Sequence, residues 1–163
     1  MSNYDAEPWH ELFGATAGAG AALAGLVFVA VSINIAQILQ LRGAPERGLQ
    51  TVLLLLGSVV VSVFGLVPQP TTALAVETVG LGAALLVFFA VSSRQVLAGT
   101  QGHPWWIASR LLTLLPGSAA YVVGGISLLI GWGGGLAWFV AGIVSAFLGA
   151  IVNAWVLLVE ILR

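Results

Sequence analysis

The sequence contains no cysteine and no lysine, and only 7% of its 163 residues are charged. The absence of cysteine excludes disulfide bonds, thiolate metal sites and cysteine nucleophiles. Soluble domains carry about 25% charged residues, so a chain with so few charges cannot cover a water-exposed surface. The formal net charge is −1, and the basic patch that nucleic-acid binding requires is absent.

The sequence instead contains long apolar runs, and 60% of its residues are hydrophobic. Five apolar segments lie at about 12–41, 45–67, 73–97, 104–131 and 136–162, and each is long enough for the roughly 30 Å hydrocarbon core of a bilayer. Pro45 and Pro104 fit the first turns of helices, and the run GWGGG at 131–135 indicates a tight turn. These patterns predict an all-α integral membrane protein, in which residues 1–163 form a single transmembrane domain built as a bundle of five transmembrane helices.

The basic residues predict how the bundle is oriented. They are five arginines, which five spans place on the same side of the membrane: Arg42, Arg47, Arg94, Arg110 and Arg163. The positive-inside rule makes that side cytoplasmic, so the N-terminus is expected outside and the C-terminus inside. The N-terminal residues lack the positive charge of a signal peptide, so the first helix is expected to stay in the protein.

An internal similarity links the first and third segments. The run VFVAVS at 27–32 recurs as VFFAVS at 87–92, and the same offset pairs Gly57 with Gly117. The similarity indicates either shared apolar composition or a parallel repeat of a two-helix hairpin. In the second case helices one and two would repeat as helices three and four, with helix five added.

Small residues form stripes on two of the predicted helices. In lipid, helices associate through close packing, which favours Gly, Ala and Ser at the contact. The members of these stripes are Gly14, Gly18, Gly25 and Ser32 in the first helix, and Gly142 and Gly149 in the fifth. Each stripe either packs within the bundle or forms an interface with a second copy or another membrane protein.

Two asparagines occupy similar depths in the predicted bundle. Asn34 lies late in the first helix and Asn153 lies in the same half of the fifth. Amide hydrogen bonds between membrane helices contribute about 0.6–2 kcal/mol. We therefore expect Asn34 and Asn153 to bond to each other, within one chain or between two chains, with a polar constriction in a pathway as the alternative.

Charged residues mark the two ends of the predicted helices. Glu77 lies about one turn into the third helix, as an interfacial carboxylate or as a group that attracts ions. Asp5 and Glu7 belong to the same outer side, where they form an acidic vestibule or a solvated tail. At the inner end, Arg110 either extends to the interface or pairs with Glu160.

The fourth helix contains Pro116, which predicts a kink or a break near mid-membrane. Discontinuous helices at this depth often line transporter sites, to which Tyr121 would add a hydroxyl. A purely structural kink is the alternative.

Features of an enzyme are lacking. His10 and His103 fall on opposite sides of the membrane, so they cannot share a metal or a haem. The sequence shows no catalytic constellation and no nucleotide-binding loop. A non-enzymatic protein without a cofactor or a metal is expected.

The run WHELFGATAGAGAALAGLVFVAVSINIAQIL at 9–39 resembles the opening of small bacterial membrane proteins that are loosely grouped with modulators of the FtsH membrane protease. The resemblance implies a multi-pass protein of the bacterial inner membrane and transfers no functional residue. We expect an oligomeric structural, accessory or modulator protein that acts through helix packing in the lipid bilayer. The alternative is a homo-oligomeric ion channel or small transporter with a polar path through Glu77 and Asn34.

Overall fold

The computed structural model describes residues 4–41, 43–98 and 104–161, and only the helical backbone of residues 94–98, 104–111 and 160–161. The described residues are mainly helical and contain no strand. A short 3-10 turn, Glu7–Trp9, leads into the first helix. The helices are α1 (His10–Ile33), α2 (Ile35–Ile38), α3 (Ala44–Leu66), α4 (Thr71–Ala98), α5 (Pro104–Ile130) and α6 (Ala137–Ile161).

Five of these helices are long and apolar enough to cross a membrane. The bounds of α3 to α6 lie within about two residues of the predicted segments. The first segment differs, because its helix was expected to continue to residue 41 and instead ends at Ile33. The side-chain Nδ2 of Asn34 donates to the carbonyl oxygen of Ala30 at 2.9 Å. Such local bonds compete with the helical hydrogen-bond ladder, and the chain continues as the separate short helix α2.

The long helices alternate in direction and pack around α3. α3 contacts α1, α4 and α6, while α5 packs between α4 and α6. Direct contacts establish the antiparallel register, since Gly20 of α1 meets Val59 of α3 and Gly48 of α3 meets Val31 of α1. We call the end at which α1 ends and α3 begins the basic end, because Arg42 and Arg47 belong to that part of the chain.

Glycines allow the close approach of these helices. A Cβ added to Gly82 would lie 2.9 Å from the carbonyl oxygen of Ser118, and one added to Gly125 would lie 2.7 Å from that of Ala75. A Cβ on Gly117 would lie 3.2 Å from the carbonyl oxygen of Gly142. Larger side chains at these positions would force the backbones apart.

The α5–α6 connection is the tight turn that the glycine run predicts. Gly131, Gly133, Gly134 and Gly135 all adopt positive φ angles, which only glycine adopts readily. The buried Ser127 hydroxyl donates to the carbonyl oxygen of Trp132 at 2.6 Å and accepts from the backbone N–H of Gly135 at 2.8 Å. One side chain thereby satisfies two polar backbone groups of the turn.

Replacement of this hydroxyl tests its contribution. Ser127→Ala leaves the N–H of Gly135 and the carbonyl of Trp132 without their partner, and is expected to lower the free energy of unfolding by about 1–3 kcal/mol. Unfolding in mixed detergent micelles measures this change. Ser62→Ala is the control, because the buried Ser62 hydroxyl donates to the carbonyl oxygen of Ser58 in its own helix. Equal effects of the two substitutions would contradict this role of Ser127.

Candidate functional site

The glycine stripe of α1 faces away from the rest of the chain. Gly14, Gly18 and Gly25 are exposed, and a Cβ added to any of them would find no atom within 4 Å. Ser32, the fourth member, is exposed as well. The reading in which this stripe packs within the bundle is therefore wrong for a single chain. We call these four residues the glycine face.

A different face of α1 contacts α3. Its buried members are Phe13, Thr16, Gly20 and Ala24. Gly20 lies against Val59, and the ring of Phe13 covers Gly65 and lies 6.5 Å from that of Phe139. The main contact of α1 thus combines the bulky Phe13 next to Gly65 with the small Gly20, and the glycine face takes no part in it.

The stripe of α6 behaves differently from that of α1. Gly142 lies against the ring of Tyr121, with 2.5 Å between the position of an added Cβ and Cε1 of that ring. Gly149 lies against the backbone carbonyl of Thr113 and the side chain of Leu54. Both glycines therefore pack inside the described chain.

The two asparagines do not bond to each other within the chain. The Nδ2 of Asn34 donates to the Ala30 carbonyl, whereas the Nδ2 of Asn153 is buried without a hydrogen-bond partner among the described residues. Asn153 follows Gly149 by one turn, on the face of α6 that packs against α3 and α5. Asn34 faces a groove between α1 and α6.

The two asparagines also lie at different depths. A Cβ added to Gly48 would contact both Val31 and Leu157, so these two residues lie at the same level of the bundle. Asn34 follows Val31 by three residues toward the basic end, and Asn153 precedes Leu157 by four, which separates the amides by roughly 10 Å along the bundle axis. The predicted similar depth and the bond within one chain are therefore wrong, and a bond between chains stays a prediction.

Glu77 and Asn34 lie at opposite ends of the bundle. The exposed carboxylate of Glu77 accepts a hydrogen bond of 2.9 Å from Nε2 of Gln69, which also donates to the carbonyl oxygen of Phe64 at 3.0 Å. Glu77 is thus tied to the α3–α4 connection. Near it, Asp5, Glu7 and His10 line a cleft of about 390 Å³ that includes Gln69. Among the described residues, no group of three or more acidic or histidine side chains could hold a metal ion.

Between these ends, buried polar side chains follow the contacts of α3 with α4 and α5. Ser58 and Tyr121 share a hydrogen bond of 3.0 Å between their hydroxyls, and Gln50 donates from Nε2 to the Ser92 hydroxyl at 2.7 Å. The hydroxyls of Ser93 and Ser118 are buried without a hydrogen-bond partner among the described residues. We define the polar seam as the buried polar residues of α3 to α6 other than Ser127, together with the buried Tyr121; its members are Gln50, Thr51, Ser58, Ser62, Thr78, Ser93, Ser118, Tyr121 and Asn153.

Four members of the polar seam were not identified from the sequence: Gln50, Thr51, Thr78 and Ser93. Gln50 is only 1% exposed, and its one signal is that it is an amide inside a long apolar segment. The hydroxyl residues give a weaker signal, because Ser and Thr can bond to the carbonyl four residues earlier in their own helix. Ser62 and Thr78 do so, with the carbonyl oxygens of Ser58 and Leu74 at 2.8 Å in each case.

Pro116 lies on the exposed side of α5, and the helix continues through it from Pro104 to Ile130. A discontinuous helix at this position is therefore wrong, whereas a kink stays a prediction. The predicted pairing of Arg110 with Glu160 lies outside the side chains that the structure describes, as do the side chains of Arg94 and Arg163.

A double-mutant cycle tests the bond between Ser58 and Tyr121. Ser58→Ala and Tyr121→Phe each remove one hydroxyl, and their coupling energy is expected near 0.6 kcal/mol, with about 1.7 kcal/mol as the upper end for membrane helices. Unfolding of the single and double variants in mixed micelles gives this energy.

The matched control cycle combines Ser62→Ala with Tyr121→Phe. The Ser62 hydroxyl bonds within its own helix, so these two changes are expected to be additive. A Ser58–Tyr121 coupling no larger than the Ser62–Tyr121 value would show that the bond adds no stability.

Comparison with known proteins returns no relative from which a role could be transferred. No protein-family model, no curated protein and no solved structure matches the chain.

Proposed function

We propose that the protein is a non-enzymatic multi-pass membrane protein that acts through helix–helix contacts, as a structural, accessory or modulator protein. The partner of its glycine face is a transmembrane helix, and a second copy of the chain supplies it in a homo-oligomer. The observation that carries this proposal is the exposed alignment of Gly14, Gly18 and Gly25, at each of which an added Cβ would find no atom of the described residues within 4 Å.

The position of α1 in the bundle supports the proposal. Only 17% of its spanning window is buried, compared with 50% for α3 and for α5. One side of α1 is therefore held by α3 while most of its surface is turned outward. Glycine disfavours a helix by about 1 kcal/mol relative to alanine, so three outward glycines in line reduce helix stability without a packing gain in the monomer. Contact with another helix would supply that gain.

The orientation belongs to the same proposal. The antiparallel order of the helices brings the α2–α3 connection and the end of α4 to the basic end. Arg42, Arg47 and Arg94 belong to these parts of the chain, so the positive-inside rule makes the basic end cytoplasmic. We propose residence in a bacterial inner membrane, with the N-terminus outside and the C-terminus inside.

Larger side chains on the glycine face are expected to weaken self-association. Gly18→Leu or Gly25→Leu should raise the dissociation constant at least tenfold, which corresponds to about 1.4 kcal/mol, because a bulky side chain keeps the helices apart. Energy transfer between labelled copies in liposomes at graded dilution measures the constant.

Gly80→Leu provides the matched control. Gly80 is an exposed glycine of α4 with no atom within 4 Å of an added Cβ, but it lies outside the glycine face. It should leave association unchanged, and all three substitutions should stabilise the single chain by a similar amount, at most about 1 kcal/mol, because leucine favours a helix more than glycine does. Association that is insensitive to Gly18→Leu and Gly25→Leu would overturn the proposed interface.

The polar seam favours a second candidate function, a homo-oligomeric ion channel or small transporter. Its unpartnered groups, the hydroxyls of Ser93 and Ser118 and the Nδ2 of Asn153, are hydrogen-bonding groups that a permeating ion or its water could use. Ion flux through liposomes that contain the protein separates the candidates. Robust flux that Glu77→Gln or Asn34→Leu abolishes would favour the channel and exclude the accessory function.

A further inference from the structure

A lateral groove separates α1 from α6 at the basic end. The two helices meet where Gly20 approaches the ring of Phe147, with 3.6 Å between an added Cβ and Cε1. Toward the basic end from this point, a space of about 380 Å³ lies between them. Leu55 of α3 forms part of the floor, and the walls are aliphatic, with Leu23 and Val27 on α1 and Ile151 and Leu158 on α6.

The groove lies on a different side of α1 from the glycine face. Residues two apart on a helix differ by about 200° in direction, so Val27 in the groove points away from Gly25 in the glycine face. An occupant of the groove is therefore independent of the helix partner proposed above. The two surfaces can be filled at the same time and tested separately.

The dimensions of the groove select its occupant. It extends from Leu23 to Asn34 along the first helix and from Ala150 to Leu158 along α6, roughly 16 Å and 12 Å at 1.5 Å per residue. These lengths are about half of the roughly 30 Å hydrocarbon core, so the groove occupies one leaflet of the bilayer. One acyl chain of a lipid extends through one leaflet, whereas a transmembrane helix extends through both. The length of the groove therefore fits a lipid acyl chain better than a transmembrane helix.

Polarity is confined to one end of the groove. Asn34 provides the only side-chain amide of the lining, and Trp155, which is 66% exposed, lies nearby at the rim. The 24 residues of α1 span about 36 Å, which exceeds the roughly 30 Å hydrocarbon core. Trp9 belongs to the opposite end of α1, and tryptophan is enriched at membrane interfaces. With Trp9 at one interface, Asn34 falls at the level of the lipid headgroups of the other interface.

We propose that this groove binds one acyl chain of a membrane phospholipid, with the headgroup at Asn34 and Trp155. Water does not fill an apolar cavity of this kind, and an empty groove would deprive its walls of dispersion contacts. The Asn34 amide has two N–H donors, one of which bonds to the Ala30 carbonyl. The second N–H donates to an ester or phosphate oxygen of the bound lipid.

Photolabelling of the full-length protein tests this proposal. The protein is reconstituted in phosphatidylcholine liposomes doped with phosphatidylcholine that carries a diazirine in its acyl chain, irradiated, digested and mapped by mass spectrometry. Adducts are expected to concentrate in residues 23–34 and 150–158, and to be several-fold fewer at lipid-facing positions outside the groove, such as Leu112 and Val76, which are 75% and 62% exposed.

Two variants fill the groove, one from each wall. Ala154→Trp on α6 and Ala30→Trp on α1 are expected to abolish the groove adducts, since both alanines line the groove. Ala141→Trp is the control, because Ala141 is an exposed residue of α6 outside it. Unchanged thermal unfolding shows that each variant keeps its fold, and a variant that fails this check is replaced by the one on the opposite wall.

Two results would overturn the proposal. In the first, adducts spread evenly over all lipid-facing helices and do not respond to either groove variant. In the second, the groove residues take no lipid adduct and Ala154→Trp dissociates the oligomer, which would make a second copy the occupant. If Gly18→Leu abolishes association and the groove adducts remain, the lipid site does not depend on the helix–helix interface.

Discussion

Close approach of helix backbones at glycine is the interaction on which the bundle depends. Lipid tails are as apolar as the helix surfaces, so burial of leucine or valine against another helix contributes little in a membrane. What distinguishes a helix neighbour from lipid is the fit at positions such as Gly82, Gly117 and Gly125, where backbone carbonyls of the facing helix lie within about 3 Å of an added Cβ. These contacts join α4, α5 and α6 in sequence, and Gly57 and Gly149 connect them to α3.

The first helix departs from this pattern, and the two proposed binding surfaces both follow from that departure. α1 is held by α3 along a face that includes Phe13 and Gly20. Gly14, Gly18 and Gly25 therefore remain outward, available to a helix, while a groove between α1 and α6 extends over about half of the membrane thickness. A transmembrane helix extends through both leaflets and a lipid acyl chain through one, which is why one molecule offers them two separate surfaces.

Polar groups inside the bundle are accommodated mainly within their own helices. Ser62 and Thr78 bond to carbonyls one turn earlier, and only a few pairs, such as Ser58 with Tyr121, connect different helices. Hydrogen bonds between membrane helices contribute modestly to stability. The glycine contacts therefore establish the helix packing, and the polar seam has a smaller effect on it. Its unpartnered groups are the part of the seam that a channel would use.

The sequence by itself determined the number of spans, the bounds of α3 to α6 and the turn at the glycine run, because segment length, proline position and the conformational range of glycine are local properties. It did not determine the relative depth of Asn34 and Asn153, since that depends on how far α1 and α6 are shifted along each other. Which face of α1 turns inward was decided by the tertiary structure, because Gly18 and Gly20 are chemically identical and lie in stripes of similar spacing. The separation of the two asparagines was decided in the same way, as neighbourhood within the membrane plane depends on how the five helices pack together.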